Sequence, residues 1–205
     1  QHLADGLTIA NSIKPLDQSG TMDVVNGKIV LVSIGMSNTH HAFAQFITLM
    51  NGDPSLHPQL VLVNGATPGM TVAQWATFNS TAWGLVQNRL QQQNLTEKQV
   101  QVAWVMLADI WPGGQASVPT FPAHAQKLQT DLETIVQNLK IRYPNLKIAY
   151  VSSLTKTYTT DLTAKGTEFF GYEGAYGVKW LIESQTKGNN PGLTFQGSGV
   201  VAPWL

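Results

Sequence analysis

The run Lys28-Ile29-Val30-Leu31-Val32-Ser33-Ile34-Gly35-Met36-Ser37-Asn38-Thr39 sets the architecture of this chain. Its first half is apolar and β-branched, the pattern of a strand buried on both faces. It breaks at Gly35 and passes through Ser37-Asn38-Thr39 into a helical pattern. A serine at such a junction sits at the carboxyl end of a parallel sheet, where open α/β folds place their sites. The first-turn N–H groups of the following helix have no intrahelical partner and can face an anion. Ser, Asn and Thr are also preferred N-cap residues, so a purely structural role for Ser37 stands beside the chemical one.

Working outward, the helix is expected over 39–50, with Phe43, Phe46, Ile47 and Met50 on one apolar face. Asn51-Gly52-Asp53-Pro54 closes it. Leu60-Val61-Leu62-Val63 reads as a second buried strand running into the glycine-punctuated loop Asn64–Gly69. Helices follow over 72–78 and 81–93, the second burying Trp83, Val86 and Leu90. Val100–Leu107 is a third strand that delivers Ala108-Asp109 to the same sheet edge, and a loop follows over 111–122. Pro122 suits the first position of a long helix reaching about 143, with Leu128, Leu132, Ile135, Val136 and Leu139 as its core stripe. Lys147–Ser152 is a fourth strand, and a last helix is expected over 172–185. Residues 1–27 read as an irregular lead-in with one short edge strand, and residues 189–205 as a tail with no regular element. Strand and helix alternate throughout 28–205, so the expected fold is a single α/β domain: three layers, α/β/α, on a mostly parallel sheet of four to five strands. Trp75, Trp83, Trp104 and Trp180 fall at core spacing.

The 205 residues carry 12 Lys and Arg against 12 Asp and Glu, 12% charged in all, with no basic stripe. Nucleic acid is therefore not an expected partner. No apolar run has the length of a membrane span. The absence of cysteine excludes disulfides, thiolate metal sites and a cysteine nucleophile. No His-x-x-x-His spacing occurs, so neither metal nor cofactor is expected. A low-charge sequence rich in Gln, Asn and Thr that starts at Gln1 without methionine fits a secreted or periplasmic protein after signal-peptide removal. Asn79-Ser80-Thr81 and Asn94-Leu95-Thr96 match the glycosylation sequon.

Three loops at one sheet edge carry Gly35-Met36-Ser37, Asn64-Gly65 and Ala108-Asp109 in that order. This resembles the SGNH (GDSL-like) hydrolase superfamily, a flavodoxin-like α/β fold of esterases and lipases. The segments Ile34–Thr39, Phe121–Ala125, Tyr143–Leu146 and Val178–Glu183 are similar to those of a poorly characterised group of exported bacterial members. The resemblance spans roughly 28–205. It implies Ser37 as nucleophile and the N–H groups of Ser37 and Gly65 as oxyanion donors. Two positions depart from the family pattern. Met36 stands where the first block has aspartate, and Ala108 where the third block has the asparagine donor. The family's last block, Asp-x-x-His, supplies the general base and does not occur in this sequence. The resemblance therefore implies that Ala202-Pro203-Trp204-Leu205 leads into a fifth strand, a helix and that block, carried on a C-terminal portion or fragment of the same protein.

His40, His41 and His124 are alternative bases, each expected foremost as a surface or helix-terminal histidine, and His57 reads as loop. Asp109 either hydrogen-bonds the Ser37 loop, orients a substrate hydroxyl, or caps the following turn. Asn38, Thr67, Asp109, Trp111 and His124 are candidate substrate contacts. The expected activity is a secreted serine esterase removing acetyl or a similar small acyl group from a carbohydrate. The alternative is a non-catalytic carbohydrate-binding or degenerate protein on the same fold.

Overall fold

A computed structural model describes residues 1–109, 121–154 and 168–205. Four strands, β1 (Ile29–Gly35), β2 (Leu60–Val63), β3 (Val100–Met106) and β4 (Ile148–Ser152), form one parallel sheet in the order β2-β1-β3-β4. The chain steps from β1 outward to β2, then back across to β3, so the strand order reverses between β1 and β3. α2 (Ser37–Met50) follows β1, and α3 (Val72–Ala76) and α4 (Thr81–Gln92) join β2 to β3. α5 (Ala123–Arg142) precedes β4 and α6 (Glu168–Lys187) follows it. This is the expected three-layer α/β/α arrangement.

Alternation along each strand divides the core. Val30, Val32, Ile34, Ala103 and Val105 are buried in one cluster with Trp83, Val86, Leu128, Leu132, Ile135 and Leu181 of α4, α5 and α6. On the opposite face Phe43 of α2 stacks on Trp104, with ring centroids 5.8 Å apart. There, Leu31, Phe43, Phe46, Trp104 and Tyr150 line an apolar groove of about 410 Å³. Trp75 and Trp83 are buried as expected. Trp104 and Trp180 are only partly buried: Trp104 lines the open groove beside Phe43, and Trp180 stands among the rings of Tyr176 and Phe121.

The N-terminal residues differ from the expected irregular lead-in. His2–Asn11 form a helix, α1, and the short strand is reduced to isolated antiparallel bridges of Leu16 with Met22 and Lys28. Periodicity does not reveal α1 because Leu3 and Leu7 point outward, at 70% and 59% exposure. What holds the helix is a contact across the whole chain. Trp204 stacks on His2 with centroids 5.0 Å apart, and its indole N–H donates to the His2 carbonyl at 3.0 Å. Gly6 is the close-approach point, since a Cβ there would lie 2.5 Å from the indole.

The C-terminal tail is likewise not without structure. Residues Pro191–Leu193 form a 3-10 turn, and Trp204 bridges Ile148 in parallel, extending the sheet beyond β4. Buried Gln185 on α6 clamps the tail. Its amide donates to the carbonyls of Leu193 and Pro203 and accepts from the Leu205 N–H. A polar residue inside an apolar stripe supplies these long-range bonds, which no local pattern announces.

Candidate functional site

β1 ends at Gly35, where any side chain would collide. A Cβ would lie 2.1 Å from the Thr39 hydroxyl and 2.5 Å from the Met106 carbonyl. The Thr39 hydroxyl donates to that carbonyl at 2.6 Å, fastening the first turn of α2 to the end of β3. Met36, in extended conformation, is the N-cap of α2, and its side chain makes no capping bond. Ser37 is thus the first helical residue and caps nothing. Its hydroxyl reaches Asn38 Oδ1 at a long 3.4 Å. The structural alternative for Ser37, an N-cap serine, is therefore overturned. Ser37 is half-buried and Asn38 exposed.

The loop after β2 is packed tightly beside this junction. Ser33 donates to Asn64 Oδ1 at 3.0 Å, and the Asn64 amide donates to the His40 carbonyl at 2.9 Å. The carbonyls of Asn64, Gly65 and Ala66 all accept from Arg89 Nη1, at 3.1, 2.7 and 2.9 Å. Burial lowers the pKa of this guanidinium below its ordinary value, yet arginine remains cationic at any physiological pH. Arg89 was not foreseen; the one local hint is its place between Val86 and Leu90 on the margin of the buried row.

These bonds bear on the expected oxyanion donors. The Gly65 N–H donates to the Val63 carbonyl at 2.9 Å, and the Thr67 N–H to the Gly35 carbonyl at 2.9 Å. Gly65 therefore does not present an open donor in this loop geometry. It is a glycine for packing: a Cβ would lie 2.5 Å from the Ser33 carbonyl and 2.9 Å from Val32 Cγ2. The Thr67 hydroxyl, nearly buried, donates to the Gly65 carbonyl at 3.3 Å rather than standing open to a substrate.

The candidate histidines separate clearly. His40 lies one turn from Ser37, and residues three apart share a helix face. Its Nδ1 meets the Ala66 carbonyl at 3.0 Å, which as a donor bond leaves Nε2 as the free lone pair. His41 is exposed, its ring edge-on to His40 at 5.6 Å. His57 is a loop residue whose Nδ1 accepts from the Gln59 N–H at 3.2 Å.

His124 is not a surface histidine. It is 3% exposed, in the first turn of α5, and its Nδ1 bonds the carboxylate of Glu173 on α6, itself 3% exposed. Its Nε2 lies 3.4 Å from Asp109 Oδ2. The same oxygen takes a hydrogen bond from Lys127 at 2.9 Å, and Lys127 pairs with Asp131 at 2.7 Å. Burial lowers the pKa of Lys127, but its bonds to Asp131 and Asp109 outweigh this and hold it above the ordinary value. Glu173 was missed because it reads as one more acid on an amphipathic helix.

Two groups thus meet the carboxyl edge of the sheet. Ser37, Asn38, His40, Gly65 and Thr67 surround the β1–α2 junction, while Asp109, His124 and Glu173 form a second, buried cluster. Met36 packs against Met106, Ala108 and Leu154 and so connects the two. Trp111 lies outside the described residues. Among the described residues, no group of three or more His, Asp or Glu is placed to hold a metal ion, and no helix is long and apolar enough to cross a membrane.

No family model and no curated protein match the chain. Solved structures similar to it include a gut microbial diltiazem-metabolizing enzyme, at 20% identity and a TM-score of 0.41, over 86% of this chain and 36% of that one. Another is the periplasmic domain of a lipopolysaccharide acetyltransferase of Salmonella ser. Paratyphi A, at 12% identity and a TM-score of 0.42, over 90% of this chain and 74% of that one. The chain therefore spans little more than a third of the first of these proteins. At such values the likenesses assign neither a family nor an activity to this chain.

Proposed function

We propose that this protein is an exported serine esterase that removes a small acyl group, such as acetyl, from a carbohydrate, with Ser37 as nucleophile. One observation carries the reading. Ser37 stands where the strand order reverses, as first residue of a helix whose N-cap, Met36, offers its first-turn N–H groups no side-chain partner. In this reading Ser37 Oγ attacks the ester carbonyl, a base takes its proton, and the first-turn N–H groups stabilise the oxyanion. The family resemblance implies that the base is the histidine of an Asp-x-x-His block outside these residues. His40, with Nδ1 held by Ala66, is the alternative within these residues.

A second reading, a non-catalytic carbohydrate-binding protein, is favoured by Ala108 in place of an oxyanion donor and by the engaged Gly65 N–H. Loss of one such donor lowers turnover by about two to three orders of magnitude. Labelling of the complete protein, with any further portion that carries the base, by a fluorophosphonate separates the readings. An esterase is labelled, and Ser37→Ala is not. Labelling that survives Ser37→Ala removes Ser37 from the mechanism, and absence of both labelling and 4-nitrophenyl acetate turnover favours the binding protein. Loss of labelling in His40→Gln places the base at His40, and retention removes His40 from that role.

A further inference from the structure

α6 carries two adjacent rows with different fates. Glu173, Gly177 and Leu181 face inward: Glu173 bonds His124, and Gly177 lies where a Cβ would come within 3.2 Å of the Ala125 carbonyl on α5. One residue earlier in each turn stand Tyr172, Tyr176 and Trp180, an uninterrupted aromatic row at i, i+4 and i+8. Neighbouring ring centroids are 5.0 and 5.3 Å apart. Phe121, which precedes α5, leans on all three rings, nearest to Tyr176 at 5.1 Å. The rings are not core: Tyr172 is 48% and Phe121 42% exposed. The row runs about 12 Å along the helix, and its upper end adjoins the buried cluster at the sheet edge, because Tyr172 neighbours Glu173.

We propose that this aromatic row is a subsite for the sugar rings of a glycan, its length matching a short oligosaccharide. The assignment to substrate rests on the glycan-ester reading above; the binding itself does not. Three features favour sugar over a protein surface. The row contains rings and no aliphatic side chain. The rings are tilted to one another by 62° and 51° rather than stacked in parallel, and electron-rich aromatic faces attract the C–H face of a pyranose. Two phenol hydroxyls in the row, on Tyr172 and Tyr176, suit the hydroxyl rim of a sugar. Four partly exposed rings also fall well short of the roughly 800 Å² per partner that a stable protein interface buries.

The test is titration of the folded chain with hexasaccharides of β-1,4-linked glucose, xylose and N-acetylglucosamine, read by tryptophan fluorescence and by ring NMR shifts. At least one should bind at millimolar concentration and shift the row. Tyr176→Ala and Trp180→Ala should each weaken it about three- to tenfold, while Tyr176→Phe and Trp180→Phe, which keep a ring, retain most of it. Far-UV circular dichroism of the four variants establishes that they are folded. Glycan binding is read without turnover, and labelling of Ser37 is read without glycan, so failure of the subsite and failure of the esterase reading are distinguishable. Three results overturn the subsite: no binding of any of the three hexasaccharides, binding unaffected by both alanine variants, or self-association of the free chain abolished by Trp180→Ala.

Discussion

Glu173, in the inward row of α6, holds His124 of α5 by its Nδ1, with both side chains almost wholly removed from water. Removing one partner of such a pair leaves the other buried and unmatched, at about 3–5 kcal/mol. Glu173→Leu and His124→Leu should therefore each be strongly destabilising, lowering the melting temperature by roughly 2–4 °C per kcal/mol for a domain of this size. The double variant should recover most of the loss, because the buried polar group is then gone. Strictly additive losses in calorimetry would show that the two side chains do not depend on one another.

Ser37→Ala should leave stability within about 0.5 kcal/mol of the parent chain, because the hydroxyl caps no N–H group. An N-cap serine would instead cost about 1 kcal/mol. Denaturant unfolding distinguishes the two, and it does so without any assumption about catalysis.

Gly65→Ala should destabilise by about 1–3 kcal/mol, since the added methyl meets the backbone of Ser33 rather than a movable side chain. Arg89→Met removes the cation that gathers three carbonyls of the same loop. A hydrogen bond to a charged group is worth about 1.5–3 kcal/mol, and because the three carbonyls share the two hydrogens of one nitrogen, the expected loss is at least that of one such bond. Both variants should also release the His40 ring from Ala66, visible as a change in its ring-nitrogen NMR shifts. An unchanged His40 signal in both would show that the loop is held by other means.

Asp17 accepts hydrogen bonds from the Ser19 side chain and from the Thr21 and Ser19 N–H groups, which hold its carboxyl below the ordinary 3.8. With the folded pKa depressed, the carboxylate's contribution is complete above the ordinary value and is lost as pH falls through the lower folded one. The turn over 17–21 should thus loosen only in strong acid, below about pH 3.8. Amide exchange at Ser19 and Thr21 should follow the Asp17 titration, and Asp17→Asn should remove that acid dependence.

Much of the fold was legible in the sequence because it is local. The apolar β-branched runs at 29–35, 60–63, 100–106 and 148–152 became strands, and the 3.6-residue stripe of Leu128, Leu132, Ile135 and Leu139 became α5, since each pattern states which side must leave water. The glycine breaks at Gly35 and Gly65 marked the sheet edge, and the alternation of strand and helix fixed a parallel sheet. What only the tertiary structure decided are contacts between residues far apart in the chain. α1 exists through Trp204, the tail is pinned through Gln185, and the loop carbonyls of residues 64–66 gather on Arg89. His124 became a buried group because Glu173, forty-nine positions later, arrives beside it. The helix after β1 begins at Ser37, two residues before the expected start at 39, so that serine lies inside the helix and caps nothing. Periodicity reports the environment a side chain needs; which partner supplies it depends on how distant segments close upon one another, and that is settled only when the chain is folded.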